Sequence, residues 1–342
     1  MTANIDWSKL GFEYLQTACH LTAEYHDGKW GELVSQEQPM MPLHIAAQCL
    51  HYGQACFEGL KAFTQPDGSV GIFRPEENSR RMARSAERLV MAPVPEPMFL
   101  EACRKLIELN REFVPPRGYK ASFYIRPVLL GTTPVIGVKG AKDFLFLAIG
   151  MPMGSYYREG FKPVKAMIHC KYDRAAPLGV GSAKVAGNYA AGLLADAHAK
   201  KAGFPVSLYL DSQHHRYIDE FATSNFIAIT RDGKFVTPDS ATILPSITNK
   251  SLQQLAVDMG LTVERRRVDV AELSEFAEVG ACGTAVVVTP VESIRHGDQV
   301  YQLIDEGADV TKAAPILTRL HNEMQAIQYG EIPDRHKWLT VV

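Results

Sequence analysis

The feature that most constrains the fold is an interruption. Residues 151–163, MPMGSYYREGFKP, hold two prolines and two glycines and show neither strand alternation nor a helical stripe. Near the middle of a 342-residue chain, such a stretch reads as a linker. It separates a small N-terminal domain, residues 1–150, from a larger C-terminal one, residues 164–342. On both sides, runs of strands are interspersed with helices, the pattern of an α+β chain and not of a strictly alternating parallel one.

In the first half, residues 43–63 read as strand, turn and strand, punctuated by Tyr52-Gly53 and Glu58-Gly59. Asp67-Gly68 marks a hairpin between Ala62-Phe63 and Val70 to Phe73. Pro75 suits a first helical position, and Met82, Ala86, Leu89 and Val90 predict a helix over 76–91. A second helix carries Met98, Ala102, Leu106, Leu109 and Phe113, with strands over 121–130 and 144–151. In the second half, strands are expected over 164–170 and 206–210, and a hairpin over 226–236. Helices are expected over 188–202 and 248–259, stopped by Gly203 and Gly260. Short strands follow near Val279 and over 285–288, then a last helix through Ile316, Leu320, Met324 and Ile327.

Composition removes several function classes. Net charge is −2, and the compact basic run Arg265-Arg266-Arg267 sits among Leu261, Val263 and Val268, the pattern of a strand with one solvated face. No nucleic-acid surface is read from it. The longest apolar stretch, residues 144–151, is less than half of the ~20 residues a spanning helix needs. No secretory signal is read at Met1 to Trp7, so the cytoplasm is the expected compartment. Six cysteines without any Cys-x-x-Cys indicate neither a disulfide framework nor a zinc site. The pair His214-His215 reads as a solvated turn, and no metal is expected.

Chemistry centres on Lys184. Gly179-Val-Gly181-Ser-Ala-Lys184 opens like a dinucleotide fingerprint, but the lysine stands at the third glycine position and no strand leads into the turn. Taken alone, a lysine in a Gly/Ala-rich loop is an exposed loop residue. Its company changes the reading. A lysine forming a Schiff base with pyridoxal phosphate needs an anion for the pyridine nitrogen, a donor for the ring hydroxyl, a phosphate cradle and a substrate pocket. Ile243-Leu-Pro-Ser-Ile-Thr248 leads into a helix, whose free N–H groups suit an anion. The turn Gly280 to Ala285 offers further amides, and acids stand at a strand end in Ile218-Asp219-Glu220. Each has an ordinary alternative: a helix cap at Ser246 or Thr248, and solvated turn acids.

The joint wording of these segments resembles the branched-chain amino acid aminotransferases, which have the fold-type-IV pyridoxal-phosphate architecture. The likeness runs through His51-Tyr52-Gly53, Phe57-Glu58-Gly59-Leu60-Lys61-Ala62-Phe63, Phe73-Arg74-Pro75-x-x-Asn78 and Arg81-Met82-x-x-Ser85-Ala86-x-Arg88-Leu89. It continues through Tyr124-Ile125-Arg126-Pro127, Lys184-x-x-Gly187-Asn188-Tyr189, Glu220-x-x-Thr223-x-Asn225, Ile243-Leu244-Pro245-x-Ile247-Thr248 and Gly283-Thr284-Ala285. The chain departs from some animal members by placing Val286 and Thr289 where they carry a cysteine pair.

The resemblance implies a larger domain with a barrel-like sheet flanked by helices, and a homodimer. It implies that Lys184 binds the cofactor and moves the proton, that Glu220 pairs with the pyridine nitrogen, and that Tyr189 donates to the ring hydroxyl. Arg74, Ile247, Thr248 and Thr284 would hold the phosphate, with Thr223 and Arg174 also at the cofactor. Phe57, Tyr124, Tyr156 and Ala285 would build the substrate pocket, Tyr52 would reach in from a partner subunit, and Arg126 would meet the distal carboxylate of glutamate. The activity implied is amino transfer between leucine, isoleucine or valine and 2-oxoglutarate. A D-amino acid aminotransferase, an aminodeoxychorismate lyase and a non-catalytic cofactor-binding protein are the rivals. Tyr124-Ile-Arg126-Pro and the Phe57 to Phe63 wording argue against the first two, and the intact lysine, acid and tyrosine set against the third.

Overall fold

The computed structural model describes residues 5–154 and 161–342. It divides into two compact units. The first takes the chain as far as Arg158, with Ala183–Ala186 and Ile327–Val342; the second takes Glu159–Ser182 and Gly187–Ala326. This division differs from the expected one in three ways. Residues 151–153, expected to open the linker, continue a strand. The loop around Lys184 and the tail after Ala326, both expected in the C-terminal domain, belong to the first unit. Linker residues 155–160 lie outside the described residues.

The first unit is an antiparallel sheet with helices. Its elements are β1 (His20–His26), β2 (Lys29–Trp30), β3 (Val34–Gln36), α1 (Gln48–Tyr52), β4 (Ala55–Phe57), β5 (Leu60–Thr64), β6 (Val70–Phe73), α2 (Pro75–Arg88), α3 (Glu96–Leu109), β7 (Ser122–Gly131) and β8 (Phe144–Met153). The last strand of the chain, β18 (Leu339–Val341), returns to this sheet. The order is β18-β6-β5-β7-β8-β1-β2, with β3 on β1 and β4 on β7. Helix α1 replaces the strand expected before Tyr52-Gly53. Its five residues are too few to display a period, and Gly53 ends it at φ 62, a left-handed conformation that suits glycine. The hairpin at Asp67-Gly68 closes between Gln65 and Ser69, and Gly68 takes φ 84. Helix α3 packs on β8, with fully buried Phe99 and Phe146 at a centroid distance of 6.3 Å. Burying each such ring contributes about 1.5–3 kcal/mol. Buried Asn110 ties the end of α3 to β1, accepting from the Cys19 N–H at 3.1 Å and donating to the Cys19 carbonyl at 3.1 Å.

The second unit is a closed barrel with outlying strands. Its elements are β9 (Val164–Ile168), α4 (Ala186–Lys201), β10 (Val206–Leu210), β11 (Ile218–Phe221), β12 (Asn225–Thr230), β13 (Phe235–Pro238), α5 (Ile247–Asp258), β14 (Val263–Arg266), β15 (Phe276–Gly283), β16 (Val287–His296), β17 (Gln299–Gln302), α6 (Val310–Ala313) and α7 (Pro315–Gln328). The order β11-β10-β9-β16-β15-β12 closes through the pairing of Glu220 with Asn225, and β13 and β14 extend the sheet from β12. Parallel pairs occur where a helix intervenes, α4 between β9 and β10 and α5 between β13 and β14. Phe221 and Phe226, both fully buried, stack at 5.9 Å. Glu278 is buried on β15 and accepts from the N–H groups of Ile316 and Leu317 at 3.0 and 2.8 Å, so a distant carboxylate caps the start of α7. The strand expected around Ala285 starts only at Val287, and Ala285 lies in the turn before it. Among the described residues no helix is long and apolar enough to cross a membrane.

Candidate active site

In the first unit, strand register assembles one face of the sheet. Lys61 lies opposite Tyr124 and Phe57 opposite Val128, so Phe57, Gly59 and Lys61 share a side with Tyr124 and Arg126. Arg126 donates from Nε and Nη2 to the Tyr124 hydroxyl oxygen at 3.1 and 2.8 Å. Its guanidinium lies 4.9 Å from the centroid of the Phe57 ring. Burial pushes the Tyr124 phenol up, against the pull of Arg126, so it remains protonated. Lys61 is held down to about 8 by burial, which weakens its charge without removing it at neutral pH.

Lys184 belongs to the same assembly. Residues 183–186 run beside β4: Val185 bridges Cys56, and the Phe57 N–H donates to the Lys184 carbonyl at 3.1 Å. Ala183 and Val185 are buried, so alternation turns Lys184 to the opposite side. Its Nζ lies 4.7 Å from the Phe57 ring centroid. The Lys184 N–H donates to the Ser85 hydroxyl at 2.9 Å.

Ser85 continues a buried polar stripe on α2. Arg81 makes a bidentate pair with Glu58, both contacts at 2.7 Å, and Asn78 donates to the same carboxylate at 2.7 Å. All four side chains are buried. None carried a role in the sequence reading. The signal was present: Asn78, Arg81 and Ser85 fall at helical spacing beside Met82 and Ala86, where an apolar stripe should continue. Arg74 precedes the helix at φ 50, its N–H donating to the Trp338 carbonyl at 2.7 Å and its guanidinium 5.1 Å from the Trp338 ring centroid.

In the second unit Glu220 is the centre. It is buried at the end of β11, accepting from the Leu244 N–H at 3.0 Å and Asn225 Nδ2 at 2.7 Å. Arg174 pairs with it at 2.9 Å. Burial lifts the carboxyl to about 7, while Arg174 and the two hydrogen bonds pull the other way. Arg174 also reaches the Gly181 and Thr242 carbonyls, yet its buried Nε has no acceptor among the described residues. Next to Glu220, burial also raises Asp219, which accepts from the Thr242 hydroxyl at 2.6 Å.

Two other loops of this unit carry residues expected at the phosphate. Ser246 caps α5 by accepting from the Asn249 N–H at 3.2 Å. The N–H groups of Ile247 and Thr248, in the first turn, have no intrahelical partner by geometry. Both residues are buried. Thr284 and Ala285 lie half-buried in the turn from β15 to β16, followed by Val287 at φ 63, a left-handed conformation rare for a β-branched residue. Tyr189 is half-buried in the first turn of α4, and Thr223 is exposed in the β11–β12 turn. This donor set, with a buried acid, an arginine Nε and a free helix start, fits a flat cation-bearing ring with a phosphate.

One expected residue stands apart. Tyr52 is 44% exposed and its hydroxyl donates to the Ile136 carbonyl. Tyr156 falls outside the described residues. His214 pairs with Asp211 and His215 with Asp173. A cleft of about 370 Å³, lined by Asp211, His214, Asp219, Asp239 and Thr242 among others, contains none of the expected site residues.

Residues 55–294 match the family described as Amino-transferase class IV. The branched-chain-amino-acid aminotransferase of Haemophilus influenzae is 41% identical over 345 residues, covering 99% of each chain. The crystal structure of the Escherichia coli branched-chain amino acid aminotransferase superposes with a TM-score of 0.78 at 27% identity, covering 94% of this chain and 98% of that one. The fold is also that of the branched-chain amino acid aminotransferase from Thermobaculum terrenum in its PLP-form, with a TM-score of 0.76 at 23% identity, covering 95% and 98%. With the family matched over most of its length and a relative of 41% identity covered end to end, the chain belongs to the class IV amino-transferases.

Proposed function

We propose that the protein catalyses reversible amino transfer between L-leucine, L-isoleucine or L-valine and 2-oxoglutarate, with pyridoxal 5'-phosphate as cofactor. The observation that carries the reading is Lys184 Nζ poised beside Phe57, on the assembly that also presents Tyr124 and Arg126.

When bound, the cofactor supplies an aldehyde for covalent capture of the amino group and an electron sink for the Cα electrons. Lys184 holds the cofactor and then moves the proton from substrate Cα. Glu220, steadied by Arg174, Asn225 and the Leu244 amide, accepts from the ring N–H. Burial lifts the carboxyl from an ordinary 4.5 to about 7, and a cation at the ring nitrogen would pull it back down, so Glu220 would be ionised with the cofactor bound. Tyr189 donates to the ring hydroxyl. Arg74, the Ile247 and Thr248 amides and Thr284 would hold the phosphate, and Thr223 would also serve the cofactor. The Tyr124 O–H and the Thr284 and Ala285 amides receive the substrate carboxylate. Phe57 and Ala285 would take its aliphatic chain, and Arg126 would meet the second carboxylate of glutamate. Lys61, on the same sheet face, adds a second cation.

The protein is proposed to act as a cytoplasmic homodimer. Ile45, Leu50, Ile136 and Val138 are all more than half exposed, and Gln48 and Tyr52 tie α1 to the 135–137 loop, so these side chains form one apolar patch of the first unit. Tyr52 lies beside it and is assigned to reach a partner's site.

A steady-state panel of donors against 2-oxoglutarate tests the activity. Turnover of leucine, isoleucine and valine is expected, with none of D-alanine. Failure of all three branched-chain donors in protein that binds the cofactor overturns the reading.

A further inference from the structure

Helix α2 holds both ends of one constellation. Through Asn78 and Arg81 it fixes Glu58, whose chain neighbours are Phe57 and Gly59. Through Ser85 it takes the main-chain N–H of Lys184 at 2.9 Å. The other main-chain group of Lys184, its carbonyl, is held by the Phe57 amide at 3.1 Å. A lysine side chain has four flexible torsions, so the region Nζ can reach is set by where its Cα is held. Of these two main-chain contacts, one is generic backbone pairing and the other is to a side-chain hydroxyl, that of Ser85, buried to 1% exposure.

We propose that Ser85 is a positioning residue for Lys184: its hydroxyl sets the lysine backbone against the same helix that places Glu58, and so aligns the amine with Phe57 and Gly59. The proposal rests on the reading that Lys184 carries the cofactor. A misplacement of about 1 Å can lower a rate by ~100-fold without weakening binding. The effect should therefore fall on kcat and on the electronic state of the bound cofactor, more than on KM.

The test uses the holoenzyme with Ser85→Ala, Ser85→Thr and Ser85→Cys. Ser85→Ala is expected to lower kcat for leucine by roughly 10- to 100-fold with KM within about threefold. It is also expected to move the pH midpoint of the cofactor's visible absorption band by about half a pH unit or more. Ser85→Thr, which keeps the oxygen acceptor, should recover most of both. Should Ser85→Ala fail to fold, Ser85→Cys decides: its larger, weaker acceptor must shift the same two readouts. Variants that lose only melting temperature, with wild-type kcat and absorption, overturn the proposal. Borohydride reduction of the wild-type holoenzyme followed by peptide mapping separates the two levels. A label on Lys184 with unchanged variants sinks the role of Ser85 alone, whereas a label on another residue sinks the reading beneath it.

Discussion

The Tyr124 hydroxyl occupies the space that a side chain on Gly59 would need: a Cβ there would fall inside van der Waals contact of the phenol oxygen. Gly59 is not at a positive φ, so its requirement is room and not backbone freedom. Close approach brings the tyrosine over the peptide that Asn78 steadies at the Gly59 carbonyl, 3.3 Å away.

Gly59→Ala is therefore expected to displace Tyr124 and, through the shared hydrogen bonds, Arg126. A loss of roughly 100-fold in kcat/KM for both leucine and 2-oxoglutarate should follow, about 2.7 kcal/mol of transition-state stabilisation. Steady-state kinetics check it, and a change under threefold would show that the phenol tolerates the move.

Replacing Lys184 with Ala should abolish covalent attachment of the cofactor and lower turnover by more than ~1,000-fold. Mass spectrometry after borohydride treatment reads the first and a leucine assay the second. Near-normal turnover would remove Lys184 from its assigned role.

Glu220 predicts a pH dependence in the cofactor-free protein. Its folded pKa of about 7 lies above its ordinary value, so the protonated form favours folding. That contribution is complete below an unfolded value of about 4.5 and is lost as pH rises through about 7. The stability of the wild type relative to Glu220→Gln should therefore fall by up to ~3 kcal/mol between pH 4.5 and 7.5. Urea titrations at the two pH values measure the difference. A difference independent of pH would contradict the burial argument, and saturating cofactor should flatten the slope.

Glu278→Ala should destabilise the protein by about 2 kcal/mol, because two N–H groups at the start of α7 lose their acceptor. Glu278→Gln, which retains one oxygen acceptor, should cost about half as much. Denaturant midpoints decide, and neither variant should alter the KM for leucine.

Much of this was legible in the chain. Pro75, Gly203 and Gly260 marked helix ends because their backbone constraints act locally, whatever the fold. The roles proposed for Lys184, Glu220 and the Thr248 loop rest on motif wording, which spacing alone could not join. Other features were not. Closure of the barrel depends on Glu220 meeting Asn225 and on β9 pairing with β16, more than a hundred residues away in sequence. Neither alternation nor turn chemistry specifies such a long-range partner. Arg174 and Glu220 were both expected at the cofactor, but nothing in the sequence named one as the other's partner, and their ion pair came only from the structure. The α2 stripe was overlooked for a different reason: polar residues on a helix suggest solvent unless their partners are known.

The return of β18 to β6 has a consequence for synthesis. Thr340 lies opposite Ile72, Val70 and Val342 exchange main-chain hydrogen bonds, and Gln65 donates to the Gln328 carbonyl at 3.0 Å. An edge strand of the first unit thus waits for residues translated after the entire second unit. Domains generally mature in the order they leave the ribosome; here the N-terminal unit cannot. It must persist with β6 unpaired on one side while roughly 180 further residues emerge, so the nascent chain exposes a sheet edge open to chaperones, and a premature stop before Leu339 would leave it open.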